Sequence, residues 1–357
     1  MPFLRLFLFV VAFIYGLIVF FRNMLFDQGI FSSKEYSISI ISVGNLCVGG
    51  SGKSPLIEYI LRLINNRDKV AVLSRGYGRD SRGFHWVTKK SSANEVGDEP
   101  LQIANKFPEI NVAVSENRNK GIKEIIRKQC DLILLDDAYQ HRWVKPGLNI
   151  LLTSYDNLFI NDNLLPYGRL RESKNNFSRA DIIVVTKTPH PLLPLDEYRL
   201  KEQISPFFNQ KLCFSYLEYQ KTVSLYTKKS ISIEGKNVVL VTGIASADLL
   251  KEYVYSKANI IQHFEFKDHY NFKKNDIKKI IDSYNKIDSL EKLILTTEKD
   301  ATRLMTYENH FKGIDIVYLP IKFRFQGKTN FNELILKYVK QNRVDSKVST
   351  AENAIHP

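Results

Sequence analysis

The strand-like run Ile41-Ser42-Val43-Gly44-Asn45 leads into Leu46-Cys47-Val48-Gly49-Gly50-Ser51-Gly52-Lys53-Ser54-Pro55. A glycine-rich loop that ends in Lys-Ser and opens a helix is the layout of a phosphate-cradling P-loop. Small residues let successive backbone N–H groups converge on phosphate oxygens. The helix that follows aims the positive end of its dipole at the same anion. Lys53 would reach the outer phosphates, and the Ser54 hydroxyl would ligate Mg2+. The usual G-x-x-x-x-G-K-[ST] spacing is broken at its first position, where Cys47 stands, so Gly49 and Gly50 must supply the turn. The bland alternative is an ordinary glycine-rich strand–helix connection. Lys-Ser at the right offset after the last glycine argues against it.

The 357 residues suggest roughly two domains of ordinary size. Apolar runs of strand length alternate with helical patterns, which predicts a parallel sheet flanked by helices. The runs are Ser37 to Val43, Lys69 to Ser74, Asn111 to Val114, Asp131 to Leu135, Asn149 to Leu152 and Asp181 to Thr186. After the P-loop, Leu56, Ile57, Ile60, Leu61 and Ile64 recur at helical spacing. Proline punctuation at 189–194 precedes an alternating segment that suits a two-stranded connector. A second set of strands begins near Asn237. The expected division is an N-terminal helix at 1–28, a nucleotide-binding domain at 29–210 and a β linker at 211–232. A smaller α/β domain at 233–325, a helix at 326–342 and a flexible tail at 343–357 complete it.

Leu6 to Phe21 carries no charge and is flanked by Arg5 and Arg22. A helix of that length spans about 24 Å, against about 30 Å of hydrocarbon. Extension to Phe3 and Phe26 closes the gap if the arginines snorkel. No A-x-A-like cleavage site follows, which disfavours a signal peptide. Membrane attachment is therefore expected, whether by crossing the bilayer or by lying in its interface. The net charge of +13 fits an anionic leaflet or a phosphorylated substrate as well as a basic background. No nucleic-acid signature accompanies it. Cys47, Cys130 and Cys213 are odd in number and far apart, so neither disulfides nor a zinc site are indicated.

Other segments carry chemistry. Asp131-Leu132-Ile133-Leu134-Leu135-Asp136-Asp137 reads as a buried strand that delivers acid at its C-terminal edge, where ligands sit in open α/β sheets. Beside a P-loop, Asp136 reads as the Mg2+-holding acid, with Asp137 assisting the metal or positioning a nucleophile. Both could instead be solvated carboxylates capping a helix. Gln140 could orient phosphate or substrate. Asp98, in Gly97-Asp98-Glu99-Pro100, either caps a helix or accepts a proton from an attacking hydroxyl. Arg118 at a strand end could clamp phosphate or form a surface ion pair. Two histidines, His263 and His269, flank the end of a later strand. Asp268-His269 is the better catalytic pair, because a carboxylate there could fix the imidazole's tautomer.

These segments together resemble the tetraacyldisaccharide 4'-kinase family. The resemblance rests on Val43 to Pro55, Ser74 to Arg79, Gly97 to Pro100, Ser115 to Arg118, Asp136 to His141, Pro166 to Glu172, Phe264 to Tyr270 and Thr296 to Ala301. They occur in family order and span the chain from about Val43 to Arg324. The family loop also lacks the first glycine. Ala138 stands where the family commonly has glycine, and the tail beyond Lys340 is not covered.

The resemblance implies two P-loop or Rossmann-like α/β/α domains joined by a short two-stranded linker, with a membrane-associated N-terminal helix and the site between the domains. It implies transfer of the ATP γ-phosphate to the 4'-hydroxyl of a lipid-linked glucosamine disaccharide 1-phosphate, at the cytoplasmic face of the inner membrane. No obligate protein partner is evident. Carried onto this sequence, Cys47, Val48, Gly49, Gly50, Ser51, Gly52, Lys53 and Ser54 hold the nucleotide, with Arg118 and Gln140. Ser54, Asp136 and Glu172 hold Mg2+. Asp98 is the base, supported by His269, and Asp137 completes the catalytic set. Two rivals are a membrane-anchored P-loop GTPase and a transporter ATPase subunit. Thr186-Lys187-Thr188-Pro189 puts proline where guanine recognition needs aspartate, and no transporter signature loop is found.

Overall fold

The computed structural model describes residues 2–64, 69–268 and 270–352. Helix α1 (Pro2–Asp27) is followed by β1 (Ser39–Asn45), α2 (Lys53–Leu63), β2 (Val70–Ser74), β3 (His85–Trp86), α3 (Ala93–Val96) and α4 (Asp98–Lys106). Then come β4 (Asn111–Val114), α5 (Arg118–Arg127), β5 (Leu132–Asp136), β6 (Leu148–Ser154), β7 (Ile182–Thr186), α6 (Pro194–Ile204) and β8 (Lys211–Tyr219). The next stretch holds β9 (Val223–Ser224), β10 (Asn237–Thr242), α7 (Asp248–Tyr255), β11 (Asn259–Glu265), α8 (Lys274–Asn285), β12 (Lys292–Thr297), α9 (Glu298–Leu304) and β13 (Ile316–Leu319). Strand β14 (Ile321–Gln326) and α10 (Phe331–Glu352) close the chain.

Two compact units result: Met1–Tyr216 with Phe323–Pro357, and Leu217–Lys322. The first is built on a nine-stranded sheet ordered β14-β8-β7-β6-β1-β5-β2-β4-β3. Strands β1, β2, β5 and β7 are buried along their whole length, as expected of parallel strands covered on both faces. From β1 the chain skips one place to β2, moves outward to β4 and returns to fill the gap with β5, then reverses to the other side of β1 through β6, β7 and β8. A crevice at such a reversal, at the carboxyl ends of the strands, is where open α/β sheets bind ligands. Helix α2 covers this sheet with Leu56, Ile57, Ile60 and Leu61, all fully buried. The second unit has a five-stranded sheet ordered β11-β10-β12-β13-β9, mostly parallel. Its two cores include Val239, Ile277, Ile280 and Ile294 on one face and Val238, Leu240, Val254 and Leu293 on the other.

The division differs from the expected one. Lys211–Tyr219 pairs in parallel with β7 inside the large sheet, whereas Val223–Ser224 pairs antiparallel with β13 in the small one. Alternation along 211–226 signals a strand, but periodicity says nothing of its partner. The C-terminal helix also runs to Glu352, past the expected end at 342. Helix α1 is long and apolar enough to cross a membrane, with a mean hydropathy of 2.6 over an 18-residue window of its 25 residues Phe3–Asp27.

Candidate active site

The P-loop forms because its glycines take backbone conformations that other residues resist. Gly49 has φ +112° and Gly52 has φ +86°, the latter as the residue before α2. The loop is held from two sides. Thr186 Oγ1, at the end of β7, donates to the Ser51 carbonyl at 2.9 Å. Across the loop's entry, Val48 N donates to Arg169 O and Arg171 N donates to Leu46 O, both at 2.8 Å. Cys47 packs against the core beside the loop, and burial, then Asp162, pushes its thiol up to about 11. Lys53, the first residue of α2, donates to Asn45 Oδ1 at 3.2 Å and lies 3.6 Å from Asp137.

The acid side sits one strand away. Parallel pairing of β1 with β5 sets Asp136 beside Val43, so the acid emerges where the P-loop begins. Asp136 is buried. Its Oδ2 accepts from Ser74 Oγ at 3.0 Å, and its main-chain carbonyl accepts from the Arg118 guanidinium at 3.2 Å. Its Oδ1 is buried and meets no hydrogen-bond partner. Burial first, then the charges of Glu99 and Asp137, push the Asp136 carboxyl up to about 7, against the pull of Lys53 and Ser74. Glu99, in the first turn of α4, accepts from Ser54 Oγ at 3.0 Å.

Asp137 behaves oppositely. It adopts φ +46°, and Arg171 grips its carboxylate with two nitrogens at 3.1 and 2.9 Å. Burial raises this carboxyl, but Lys53, then Arg171 and Arg118, outweigh burial and hold it below its ordinary range. Adjacent carboxyls with opposed pKa shifts separate into distinct roles.

The residues present fit Mg2+. An orphaned buried carboxylate oxygen, a P-loop hydroxyl and a neighbouring glutamate form an all-oxygen donor set, the kind a hard cation takes. Among the described residues no cluster of three His, Cys, Asp or Glu forms a protein-only cage. Mg2+ keeps waters and substrate phosphates among its ligands and needs no such cage.

Comparison with known proteins agrees with this geometry. A family model described as Tetraacyldisaccharide-1-P 4'-kinase matches residues 4–340. This chain belongs to that family. A tetraacyldisaccharide 4'-kinase of Bacteroides thetaiotaomicron is 40% identical over 97% of this chain and 96% of its own. One from Flavobacterium johnsoniae is 41% identical, covering 96% of this chain and 99% of its own. The solved structure of LpxK from Aquifex aeolicus in complex with ATP superimposes with a TM-score of 0.73 at 28% identity, covering 94% of this chain and 99% of that one.

As a member of the 4'-kinase family, the chain brings Lys53, Ser54, Asp136 and Asp137 together at one strand edge, with Asp98 opening the helix that carries Glu99. Three expected ligands stand elsewhere. The Arg118 guanidinium is buried and donates to the Ser115 and Asp136 carbonyls, so it braces the strand end that carries Asp136. Gln140 Nε2 donates to the Asn45 carbonyl at 2.9 Å and to Glu172 Oε1 at 3.1 Å.

Glu172, expected on the metal, is 1% exposed and accepts from Asn23, Gln140, Asn176 and Arg179. Four donors occupy both of its oxygens, so it serves as a buried hub. Glu172→Ala should leave Arg179 buried without its acid. The expected loss is roughly 3–5 kcal/mol of unfolding free energy in urea titrations, and a loss below 1 kcal/mol would refute the hub reading.

His263 donates or accepts at Thr242 Oγ1 at 2.9 Å, and burial lowers its pKa, which suits a structural histidine of β11. His269 lies outside the described residues. Asn45, Ser74, Glu99 and Arg171 are site residues the sequence reading did not single out. Asn45 and Ser74 each end a strand beside the P-loop, and that position was the available signal.

Proposed function

We propose that this chain transfers the γ-phosphate of ATP to the 4'-hydroxyl of a tetraacyl glucosamine disaccharide 1-phosphate, a late step of lipid A synthesis. The observation that carries this reading is the convergence of Lys53, the Ser54–Glu99 pair and the orphaned Asp136 oxygen at the mouth of the P-loop. Phosphoryl transfer is mostly positioning and charge neutralisation. Lys53, held between Asn45 and Asp137, meets the outer phosphates with its ammonium group. The amides of 49–54 and the N-terminus of α2 cradle the rest. Mg2+, held by Asp136 and Ser54 with Glu99 beside them, would neutralise charge on the phosphate oxygens. Asp98 takes the proton of the attacking hydroxyl. Asp137, kept ionised, orients Lys53.

The exposed apolar face of α1 holds the enzyme at the cytoplasmic face of the inner membrane, where ATP and an acylated acceptor meet. Purified protein in detergent, given radiolabelled ATP and the disaccharide 1-phosphate lipid, should yield a labelled lipid, with little ATP consumed when the acceptor is left out. Steady GTP turnover without acceptor, and no labelled lipid, would overturn the reading in favour of a nucleotide switch.

A further inference from the structure

Helix α1 does more than present an apolar face. Phe7, Phe13, Ile18 and Phe20 on it are each about 60% exposed, as a lipid-facing surface would be. Its other face, at helical spacing, makes polar contacts with the kinase unit. Tyr15 Oη donates to Arg171 O at 2.6 Å, and Arg22 donates to Gln140 O at 2.8 Å. Asn23 Nδ2 donates to Glu172 Oε2 at 3.0 Å. Gly16 lies so close to Leu164 that a Cβ there would stand 2.8 Å from Leu164 Cδ1. An anchor needs none of these. Asn23 in particular is 5% exposed, a buried amide in an apolar helix. Burying it costs free energy unless it is hydrogen-bonded.

The hydrogen bonds continue inward. Glu172 Oε1 accepts from Gln140 Nε2 at 3.1 Å, and the same Nε2 donates to the Asn45 carbonyl at 2.9 Å. Asn45 Oδ1 then accepts from Lys53 Nζ at 3.2 Å. We propose that Asn23 is a positioning residue of the nucleotide site, acting through Glu172, Gln140 and Asn45 to pre-set Lys53, so that the membrane helix is part of the ATP-binding machinery. The chain of bonds is short, each member is buried or half-buried, and nothing in it depends on solvent-exposed geometry. The proposal rests on the kinase reading, since it assumes that ATP is the ligand of the P-loop.

The test uses the full-length protein in mixed micelles with saturating lipid acceptor. Asn23→Ala should raise KM for ATP and the directly measured Kd for Mg-ATP by about 3–10-fold, the worth of one lost hydrogen bond. Its kcat at saturating ATP should stay within about twofold of wild type, because bound phosphate then orders the lysine itself. Asn23→Asp, which sets a second carboxylate against Glu172, should raise both constants further. A helix that only anchors would show an altered KM for the lipid and none for ATP. A residue that only stabilises the fold would lower kcat with the active fraction and leave KM for ATP unmoved. Either outcome overturns the proposal. Absence of ATP binding in the wild-type protein would instead strike the kinase reading.

Discussion

Asp136→Asn should stabilise the nucleotide-free chain while lowering turnover by roughly 10²–10³-fold, the cost of removing one preorganised electrostatic group. The two effects have one cause. Asp136 is a buried carboxyl with an unpartnered oxygen, pressed by Glu99 and Asp137. Its pKa rises from 3.8 to about 7 in the folded chain. The folded state therefore keeps a proton that the unfolded state releases. Its contribution is fully present below about pH 4 and is lost as pH rises through about 7, because stability falls wherever the native state binds more protons. At pH 8 the ionised carboxylate costs on the order of a few kcal/mol. Asparagine cannot ionise and escapes that cost. Thermal unfolding of both proteins at pH 5, 6, 7 and 8 checks this. The gap in Tm should widen with pH in favour of the variant, and a constant gap would refute the burial argument. Mg2+ with ATP should narrow it, since the charge would then have a partner.

Asp98→Asn should lower kcat by roughly 10²–10⁴-fold, the range attributed to a positioned general base. Mg-ATP affinity should change little, because the P-loop, Ser54 and Asp136 remain. Asp98 begins α4 next to Glu99, whose carboxylate reaches Ser54. That places a second acid in the same helical turn that touches the loop. Asparagine keeps the size of the residue, and the helix is capped by Gly97 and not by Asp98, so a fall in kcat would report proton acceptance and not a frayed helix. Single-turnover phosphorylation of the lipid with prebound ATP isolates the step. An unchanged rate would remove Asp98 from the chemistry and leave it as a helix-initiating residue.

Much of the site was legible because its parts are local. The glycines at 49 and 52 have backbone conformations that favour glycine, and Lys53 and Ser54 follow them directly at the start of α2. Leu132 to Leu135 is apolar throughout because the strand is buried on both faces, and the acid follows directly. Glu172 was misplaced for the opposite reason. Sequence order shows a charged loop, Gly168-Arg169-Leu170-Arg171-Glu172, but not which of its members turn inward. In the fold, Arg171 faces Asp137 while Glu172 faces Asn23, Gln140, Asn176 and Arg179. Those four come from positions up to 149 residues away. Glu99 was passed over beside Asp98 because adjacent acids look alike until Ser54 is brought against one of them.

The order of residues alone determined that a phosphate-gripping loop follows a buried strand, that an acid ends another such strand, and that an apolar helix leads the chain. Each is written in neighbouring residues, through backbone freedom or the period of apolar side chains. Tertiary structure decided which charges meet: that Asp136 rises and Asp137 falls in pKa, that Arg118 shapes a strand end, and that a buried asparagine of the leading helix is joined to Lys53. Coulombic and hydrogen-bonding partners act over a few ångströms of space, whatever their separation along the chain, so only the folded sheet edge could assign them.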